Sequence, residues 1–317
     1  MFMRHALSVA IACTFLFTIS NATAQRTWTR IDSIFGPLPS SIHLYYTEDT
    51  LNGRPFVAYY LSAALRDKKI IFNSDTGRTT AKGYYEKKHN PLVVVNGTFF
   101  NPQTYQNLGV IISRGRMLSY NITSLKSFQS DYYYYPTRSA IGISKKRKPD
   151  VAWLFTDVDR RWPYGFQKNP IVARGKRPNP ILADLNTLDD WKPWRMRTAI
   201  GGGPVLIQHG QVRITNQEEQ VFLGDKLELN SRTAMGYTKD NRLIILVIEG
   251  RNPGVAEGAT LTETAALLQS LSCIEALNID DGQNSFMLVN GKETIKTSTN
   301  QQIIPSVFLV ERKKTKK

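Results

Sequence analysis

Cysteine is scarce in this 317-residue sequence, which contains only two. Cys13 lies in an N-terminal apolar run that we expect to be removed, so Cys273 alone would remain in the mature chain. A single cysteine cannot form an internal disulfide, so the packed core must stabilise the mature protein. Acylation of Cys13, as in a lipoprotein, is the less favoured alternative because the apolar run continues past it to Ile19.

Histidine is also scarce, and several catalytic motifs are absent. None of the four histidines pairs with another at the spacing of zinc ligands. The sequence has no Gly-x-Ser-x-Gly nucleophile elbow and neither a Walker nor a dinucleotide-binding glycine pattern. These absences argue against zinc hydrolases, elbow-type serine hydrolases and the common nucleotide-binding folds. No motif supports nucleic-acid binding, and we expect none.

Long hydrophobic runs are missing except at the N-terminus. Residues 1–24 combine Arg4 with an apolar run at 6–19 and a small-residue site ending at Ala24, the pattern of a secretory signal peptide. The run is shorter than the roughly 18 residues of a membrane-spanning helix, and no later segment qualifies. The sequence therefore predicts an exported protein, periplasmic or secreted, with no integral membrane segment in the mature chain.

The chain has a surplus of basic residues. Its formal charge of +15 falls to +14 when Arg4 is removed, and such a surplus attracts phosphates, acidic polysaccharides and acidic membranes. Part of it lies at 145–148 and 312–317, which typically form a solvated turn and a solvated tail. We divide the chain into a signal peptide (1–24), a lead-in segment with little regular structure (25–45), one domain (46–311) and a basic tail (312–317).

Strand-length runs rich in β-branched and aromatic residues alternate with turn clusters along the domain. They lie at 56–60, 70–72, 92–95, 110–112, 151–155, 243–248, 276–279, 286–289 and 303–310. One helix is indicated at 261–272 by apolar residues at helical spacing, with Thr260 and Glu263 matching a capping box. The sequence thus predicts the α+β class: a mixed, strand-rich sheet domain with a few flanking helices, built as a single catalytic-type domain.

A weak internal repeat places an arginine before small residues and a glycine. Its copies begin at Arg138, Arg197 and Arg232, and each reaches its glycine four residues later. After the first and third copies a polar turn leads into a further strand, which predicts two strand-turn-strand units. Alternation along a strand would direct each guanidinium to one face. Structural pairing of these arginines within the sheet is the alternative.

Polar or charged residues followed by glycine come at the ends of three apolar strands. These residues are Asn96, Glu249 and the adjacent pair Asp280 and Asp281. Because neighbouring residues of a strand face opposite sides, we expect Asp280 in the site and Asp281 supporting it or facing away. An Asp-rich turn that only reverses the chain is the alternative.

Together these strand ends predict a cleft at one edge of a sheet, lined by an amide, carboxylates and arginines. Such a cleft suits a substrate with sugar hydroxyls and a phosphate, since arginine binds phosphate through two donors and a carboxylate can act at an anomeric carbon. Asp280, Asp281 and Asn284 could also hold a divalent cation. No other cofactor is indicated.

Six motifs, in order along residues 59–310, resemble the phosphodiester glycosidase family. They are Asn-Gly-x-Phe-Phe from Asn96, Arg-x-Ala-Ile-Gly from Arg138, Gly-Gly-Gly-Pro-x-Leu from Gly201, Arg-Thr-Ala-x-Gly from Arg232, acid-Gly-Arg from Glu249 and Ala-Leu-Asn-Ile-Asp from Ala276. The resemblance implies a hydrolase that cuts a sugar-1-phosphodiester between the anomeric carbon and a phosphate oxygen. The expected partner is then a phosphorylated or anionic glycan of the envelope or the extracellular space.

The resemblance also implies roles for individual residues. Asp280 would act at the anomeric carbon as nucleophile or base. Arg232 and Arg251 would hold the phosphate, and Asn96 and Arg138 would position the sugar. The further catalytic candidates are Asp281 and Glu249. The further substrate-binding candidates are Gly97, Thr98, Gly202, Gly203, Gly282, Asn284 and Ser285.

The sequence departs from the family pattern directly after Asp280. The family has Asp-Gly-Gly-Gly-Ser, whereas this chain reads Asp-Asp-Gly-Gln-Asn-Ser from Asp280 to Ser285, and Glu249 replaces an aspartate in the acid-Gly-Arg motif. Larger side chains in this loop could narrow the cleft or change the substrate. A non-catalytic protein that binds glycans or sugar phosphates is therefore the alternative function. A third possible function is that of a basic envelope protein held at acidic surfaces by its lysine-rich tail.

Overall fold

The computed structural model describes residues 26–126, 133–168, 170, 192–220, 227–296 and 302–314. The predicted signal peptide and the last three residues of the predicted tail lie outside these ranges. Within them, no helix is long and apolar enough to cross a membrane. Every strand pairing in the described part of the chain is antiparallel.

The largest sheet has eight strands. In spatial order they are β1 (Thr29–Arg30), β2 (Ile42–Leu51), β3 (Arg54–Ala64), β18 (Arg242–Ile248), β17 (Arg232–Thr238), β19 (Cys273–Asp281), β15 (Val205–Gln208) and β16 (Gln211–Val212). Strand β18 is almost entirely apolar and is buried on both faces from Leu243 onward, the pattern of a strand covered on both sides. The middle of this sheet is therefore an inner layer of the molecule.

Two further sheets pack around it. The seven-stranded sheet has the order β13 (Lys192–Pro193), β12 (Tyr164–Phe166), β11 (Pro149–Phe155), β10 (Ser139–Ser144), β14 (Met196–Gly202), β6 (Ile111–Ser113) and β7 (Arg116–Ser119). The five-stranded sheet has the order β21 (Lys292–Glu293), β20 (Met287–Val289), β5 (Val93–Asn96), β22 (Ile304–Arg312) and β4 (Ile70–Thr79). A separate ribbon pairs β8 (Leu125–Lys126) with β9 (Tyr133–Tyr134).

One central core is shared by the three sheets. Its buried residues include Leu61 and Ile245 from the eight-stranded sheet, Trp153 from the seven-stranded sheet, and Val95 and Phe308 from the five-stranded sheet. Burying these side chains removes apolar surface from water, which is the main favourable term in folding. Each sheet therefore depends on the other two to cover its inner face.

The outer faces are covered separately. Helix α2 (Leu261–Ser270) packs on the outer face of the eight-stranded sheet, and α1 (Ala81–Lys87) packs on the five-stranded sheet. On the seven-stranded sheet, Trp194 and Met196 cover the outer side, where a Cβ on Gly142 would lie 2.5 Å from the Trp194 ring. Every sheet is thus covered on both sides around the positions that carry the candidate residues.

The predicted α+β, strand-rich class is confirmed. Helix α2 begins at Leu261 as expected, with Thr260 Oγ1 accepting from the Glu263 backbone N at 3.0 Å and Glu263 Oε2 accepting from the Thr260 backbone N at 2.9 Å. It ends at Ser270 rather than at 272, because Ser272 adopts a left-handed backbone.

Two boundaries need correction. Strand β19 does not end at Ile279 but continues through Asp281, because both acids pair with β17. The segment 25–45 contains β1 and the start of β2, since pairing between these two strands and the burial of Ile42 and Leu44 order its backbone.

Candidate active site

The strand ends that carry the candidate residues come from all three sheets. Asn96 ends β5 in the five-stranded sheet, and Asp280 lies near the end of β19 in the eight-stranded sheet. Arg138 directly precedes β10, and Gly202 ends β14, both in the seven-stranded sheet. The candidates therefore lie at a junction of sheets, whereas the sequence suggested one edge of a single sheet.

Asn96 connects the five-stranded sheet to the eight-stranded sheet. Its Oδ1 accepts hydrogen bonds from Thr233 Oγ1 at 2.7 Å and from the Phe286 backbone N at 3.1 Å. Thr233 is the register partner of Asp280 in the β17–β19 pair. The Asn96 amide is therefore held next to the residue that lies opposite Asp280.

Close backbone contacts bring the seven-stranded sheet to the same place. A Cβ on Gly202 would lie 2.2 Å from the carbonyl oxygen of Asn278 and 3.0 Å from the Cα of Ile279, so a larger residue cannot fit. Gly203 donates its backbone N–H to the same Asn278 carbonyl at 2.8 Å. The glycine run thus lets the end of β14 lie directly on β19, two residues before Asp280.

The turn after β5 is held by similar contacts. A Cβ on Gly97 would lie 2.2 Å from Ser306 Oγ, and a Cβ on Gly109 would lie 2.1 Å from Thr98 Oγ1 and 3.4 Å from the Cα of Gly201. Thr98 is therefore close to the same glycine run that contacts β19. These contacts bring Asn96, Thr98 and the end of β14 together.

Asp280 is almost completely buried, with 3% of its surface exposed. Its Oδ1 accepts the backbone N–H of Asp281 at 2.9 Å, and the Asn284 side chain also donates to the carboxylate. Burial raises the pKa of Asp280 well above its ordinary value of 3.8, the nearby Asp281 carboxylate adds to the rise, and the two hydrogen bonds oppose it. Strongly perturbed carboxyl groups of this kind cluster at functional sites.

Asp280 and Asp281 face opposite sides of the sheet. Asp280 pairs with Thr233 on the side of the central core, and Asp281 pairs with Arg232 on the side that α2 covers. This is the alternation expected of adjacent strand residues. Only Asp280 therefore points toward Asn96 and the other two sheets.

Arg232 is fully buried, and protein groups accept from each of its guanidinium nitrogens. Nη1 donates to Asp281 Oδ2 at 3.0 Å, Nε to the Ala259 carbonyl at 3.0 Å and Nη2 to the Glu228 carbonyl at 2.7 Å. Burial lowers the pKa of Arg232, and the Asp281 carboxylate opposes this. Burial likewise raises the pKa of Asp281, against the effect of Arg232 and Arg251. The fold itself thus occupies the Arg232 guanidinium.

Arg251, by contrast, is exposed. Its backbone is left-handed, with φ of 61°, and its Nε donates to Asn230 Oδ1 at 3.0 Å. Its guanidinium lies 3.0–3.5 Å from where a Cβ on Gly282 would be, and Gly282 itself has φ of +66°. Glycine is therefore needed there both for the backbone and for space, and Arg251 lies at the rim beside the end of β19.

Arg138 is buried in the interior of the junction. Its guanidinium carbon lies 5.5 Å from the centre of the Phe99 ring. Burial lowers the pKa of Arg138 to about 10, and the carboxylate of Glu219 opposes this. Glu219 accepts from Ser139 Oγ at 2.8 Å and from the Val205 backbone N at 2.8 Å, so it joins β10 to β15.

Several buried polar atoms around this junction have no hydrogen-bond partner among the described residues. They are Asn96 Nδ2, Thr98 Oγ1, Arg138 Nε and Nη1, Asn278 Oδ1, Ser285 Oγ and Ser306 Oγ. Buried polar atoms without partners are rare in proteins, and each costs free energy. A cluster of them on converging strand ends indicates a place where polar groups of a ligand or water bind.

Glu249 lies apart from this group. It follows β18, which is two strands from β19, so its backbone is roughly 10 Å from Asp280 at normal strand spacing. Its Oε2 accepts the Lys296 backbone N–H at 3.2 Å, and burial together with the Glu249 carboxylate raises the pKa of Tyr59. These contacts give Glu249 a supporting position beside the predicted site.

Sequence reasoning missed several residues of the junction. They are Thr233, Asn278, Ser306 and Glu219. Thr233 lies inside the third copy of the repeat, directly after Arg232. Its position in the repeat is the one sequence signal that pointed to it, because it pairs with Asp280. Ser306 and Glu219 stand in no pattern, because only the packing of distant segments brings them to the junction.

The divalent cation suggested by Asp280, Asp281 and Asn284 has little support in the described geometry. No group of three or more His, Cys, Asp or Glu side chains within the described ranges is arranged to hold a metal ion. The two carboxylates face opposite sides of β19, so they do not converge on one point.

Comparison with known protein families gives a match over most of the domain. A family model described as phosphodiester glycosidase matches residues 89–311. Two curated relatives, both named N-acetylglucosamine-1-phosphodiester alpha-N-acetylglucosaminidase, align with 63% of this chain. The mouse protein is 21% identical over 209 residues, covering 32% of its length, and the bovine protein is 23% identical over 208 residues, covering 31%. The chain thus spans about a third of the length of these relatives.

Solved structures share the fold at low sequence identity. The catalytic domain of the zebrafish enzyme of the same name has a TM-score of 0.57 and 18% identity, covering 86% of this chain and 83% of that one. A hypothetical protein from Synechocystis has a TM-score of 0.59 and 15% identity, covering 90% and 64%. An exported protein of Burkholderia pseudomallei has a TM-score of 0.52 and 14% identity, covering 82% and 74%.

Proposed function

This chain belongs to the phosphodiester glycosidase family, and from that premise we propose that it is an exported hydrolase of sugar-1-phosphodiesters. The substrate would be a phosphate-containing glycan of the cell envelope or the extracellular space. Export, to a periplasm or out of the cell, rests on the signal-peptide pattern at 1–24. The basic surplus of the chain would favour a substrate that carries negative charge.

The observation that carries this proposal is the buried Asp280 carboxyl beside unpaired polar atoms from three sheets. A sugar bound there would offer hydroxyl groups to Asn96 Nδ2, Thr98 Oγ1 and Ser285 Oγ. The same atoms would hold the anomeric carbon close to Asp280, and positioning of this kind is a major source of catalysis. Gly97, Gly202 and Gly203 would serve by permitting the close approach of the strands.

The reaction breaks the bond between the anomeric carbon and the phosphate oxygen. Asp280 attacks that carbon itself or removes a proton from the attacking water, and the bonding electron pair leaves with the phosphate oxygen. In the first case water then hydrolyses the glycosyl ester on Asp280, which releases the sugar and restores the carboxylate. The departing phosphate monoester is already a stable anion, so charge stabilisation matters more than proton donation. Asp280 must be ionised for either role, and its raised pKa would therefore make activity fall at acid pH.

The phosphate needs a guanidinium that is free to bind it. Arg232, one of the two predicted for this role, is already paired with Asp281 and two backbone carbonyls. Arg251 at the rim and Arg138 in the interior remain as candidates.

The deciding experiment measures sugar release by the purified mature chain from a panel of sugar-1-phosphodiesters, with and without a divalent cation. We expect release by the wild type and a loss on the order of 10³-fold or more in Asp280→Asn. Asp150→Asn is the matched control, because Asp150 is a half-buried aspartate whose pKa burial also raises, to about 6, but it lies at the far end of the β10–β11 hairpin. Equal activity of wild type and Asp280→Asn would refute the role of Asp280.

A non-catalytic sugar-phosphate binding protein is the second candidate. It is favoured by the Asp281–Arg232 ion pair, which places an additional carboxylate beside Asp280 and occupies one arginine. If the folded wild type binds members of the panel but releases no sugar from any, this second function replaces the first.

A further inference from the structure

Arg138 holds its positive charge inside the protein with part of its hydrogen-bonding capacity unused. Its Nε and Nη1 are buried and without partners in the described part of the chain, and the whole residue is 4% exposed. A guanidinium carries five N–H donors and accepts nothing, so unpaired nitrogens on it are matched best by an anion with several acceptor oxygens.

The surroundings of Arg138 supply further unpaired polar atoms. Its contact with Phe99 places the guanidinium at the turn that contains Asn96 and Thr98. Asn96 Nδ2 and Thr98 Oγ1 are likewise buried without partners. An amide N–H and a hydroxyl can both donate to an anion. Arg138 and the turn after β5 thus bring three side chains with unpaired donors into one part of the junction.

Glu219 offsets the charge of Arg138 without using its donors. Its oxygens accept from Ser139, Val205 and Thr215, so they hold together the strands around Arg138. The pair is thereby stabilised against the cost of burying a lone charge. The guanidinium nitrogens are left for another acceptor.

We infer that Arg138, together with Asn96 and Thr98, binds an oxyanion of the substrate, and that Arg232 has a structural role. On the proposed function that oxyanion is the phosphate of the sugar-1-phosphodiester, so this assignment rests on it. A sugar carboxylate presents the same bidentate chemistry to a guanidinium and is the other source. Arg251 is exposed, and exposed ion pairs contribute little to binding. It would therefore only assist in holding the oxyanion, from the rim.

Access to the unpaired donors of Arg138 needs some movement, because Nε and Nη1 are closed off from solvent. Binding that requires a conformational change is slower than simple docking. We therefore expect small anions to associate more slowly with Arg138 than with an exposed arginine.

The test measures binding of inorganic phosphate and, in a parallel arm, acetate by calorimetry at constant ionic strength. Wild type is compared with Arg138→Lys, which keeps the charge but not the planar fork, and with Arg138→Met. We expect phosphate affinity to fall at least tenfold in Arg138→Lys and to be lost in Arg138→Met. The melting temperature without phosphate should stay unchanged in Arg138→Lys, which separates ligand binding from a structural role.

Arg197→Met is the matched control, since Arg197 begins the second copy of the same repeat but is exposed. It should bind phosphate as the wild type does. Wild-type phosphate affinity in folded Arg138→Lys, or binding of neither phosphate nor acetate by the wild type, overturns the inference. Tighter binding of acetate than of phosphate assigns the oxyanion to a carboxylate. None of these binding measurements requires turnover. The assignment of Arg138 and the proposed hydrolase function can therefore be refuted independently of each other.

Discussion

The ion pair between Arg232 and Asp281 leaves the arginine no contact with water. Removing one partner from a buried pair leaves the other charge uncompensated, which is far more costly than losing a surface pair. We expect Arg232→Met to lower the free energy of unfolding by about 3–5 kcal/mol, measured by urea denaturation.

Arg197→Met changes the same residue type at the equivalent repeat position and serves as the control. Arg197 is exposed, so its replacement should leave the urea midpoint almost unchanged. Equal and small effects in the two variants would contradict the structural role of Arg232.

Asp280 gives a prediction with a definite sign in pH. Its folded-state pKa is raised well above 3.8, so the folded chain holds a proton that the unfolded chain has already released. Stability therefore falls as the pH rises above 3.8 toward the folded-state pKa. We expect Asp280→Asn to melt at a higher temperature than wild type at pH 7, and the difference to vanish below pH 3.8.

Asp281→Asn provides the contrasting control at pH 7. The pKa of Asp281 is also raised, but Arg232 and Arg251 oppose the rise, so the same chemical change one residue away should raise the melting temperature less than Asp280→Asn does. A fall in melting temperature for Asp280→Asn at pH 7 would show that the Asp280 carboxylate stabilises the fold, against our reading.

Among the elements, the crossing of β14 over β19 depends on the absence of a side chain at Gly202. A Cβ there would meet backbone atoms of Asn278 and Ile279, which cannot rotate away. We expect Gly202→Ala to lower the free energy of unfolding by roughly 1–3 kcal/mol, the usual cost of overpacking, and to reduce any activity more than stability alone explains.

Gly77→Ala is a suitable comparison for this change. The three atoms nearest to a Cβ on Gly77 would be side-chain atoms of Tyr84, at 3.0 Å or more, and none of them is backbone. Thermal unfolding of both variants, with sugar release measured on the folded fraction, tests the difference. A Gly202→Ala protein as stable as Gly77→Ala would mean that the strands separate easily.

Individual elements were predicted well where local chemistry decides them. The capping box at Thr260 and Glu263 fixed the start of α2, and alternation separated Asp280 from Asp281. The extent of β19 was not predicted. Two adjacent acids after an apolar run favour a turn locally, but pairing with β17 keeps both of them in the strand.

The site could be predicted only in part. Motif order named Asn96, Arg138 and Asp280 as candidates, and the strand ends that carry them meet at one junction. The occupation of Arg232 by Asp281 depends on which way each side chain faces. The role of Glu219 depends on contacts 80 residues away with Ser139. Such distant contacts leave no periodic or spaced pattern in the chain.

At the scale of the whole molecule, the three sheets share one core, so none of them has a complete interior alone. We expect a single cooperative transition, with coincident urea midpoints by far-ultraviolet circular dichroism and by tryptophan fluorescence. Of the five tryptophans, Trp153 of the seven-stranded sheet lies in that core, so its share of the fluorescence reports on the core. An early fluorescence change with the dichroism intact would instead indicate that this sheet unfolds separately.

Strand β22 also determines when, during synthesis, the five-stranded sheet can form. It lies between β5 and β4 in the five-stranded sheet, although its residues come more than 200 positions later in the chain. Until residue 312 is available, β5 and β4 lack the strand that joins them, and Asn96 lacks its partner Val307. Pairings at such long separation form slowly. A chain emerging from a ribosome therefore cannot complete the five-stranded sheet, or the junction of candidate residues that includes Asn96, until residue 312 has emerged.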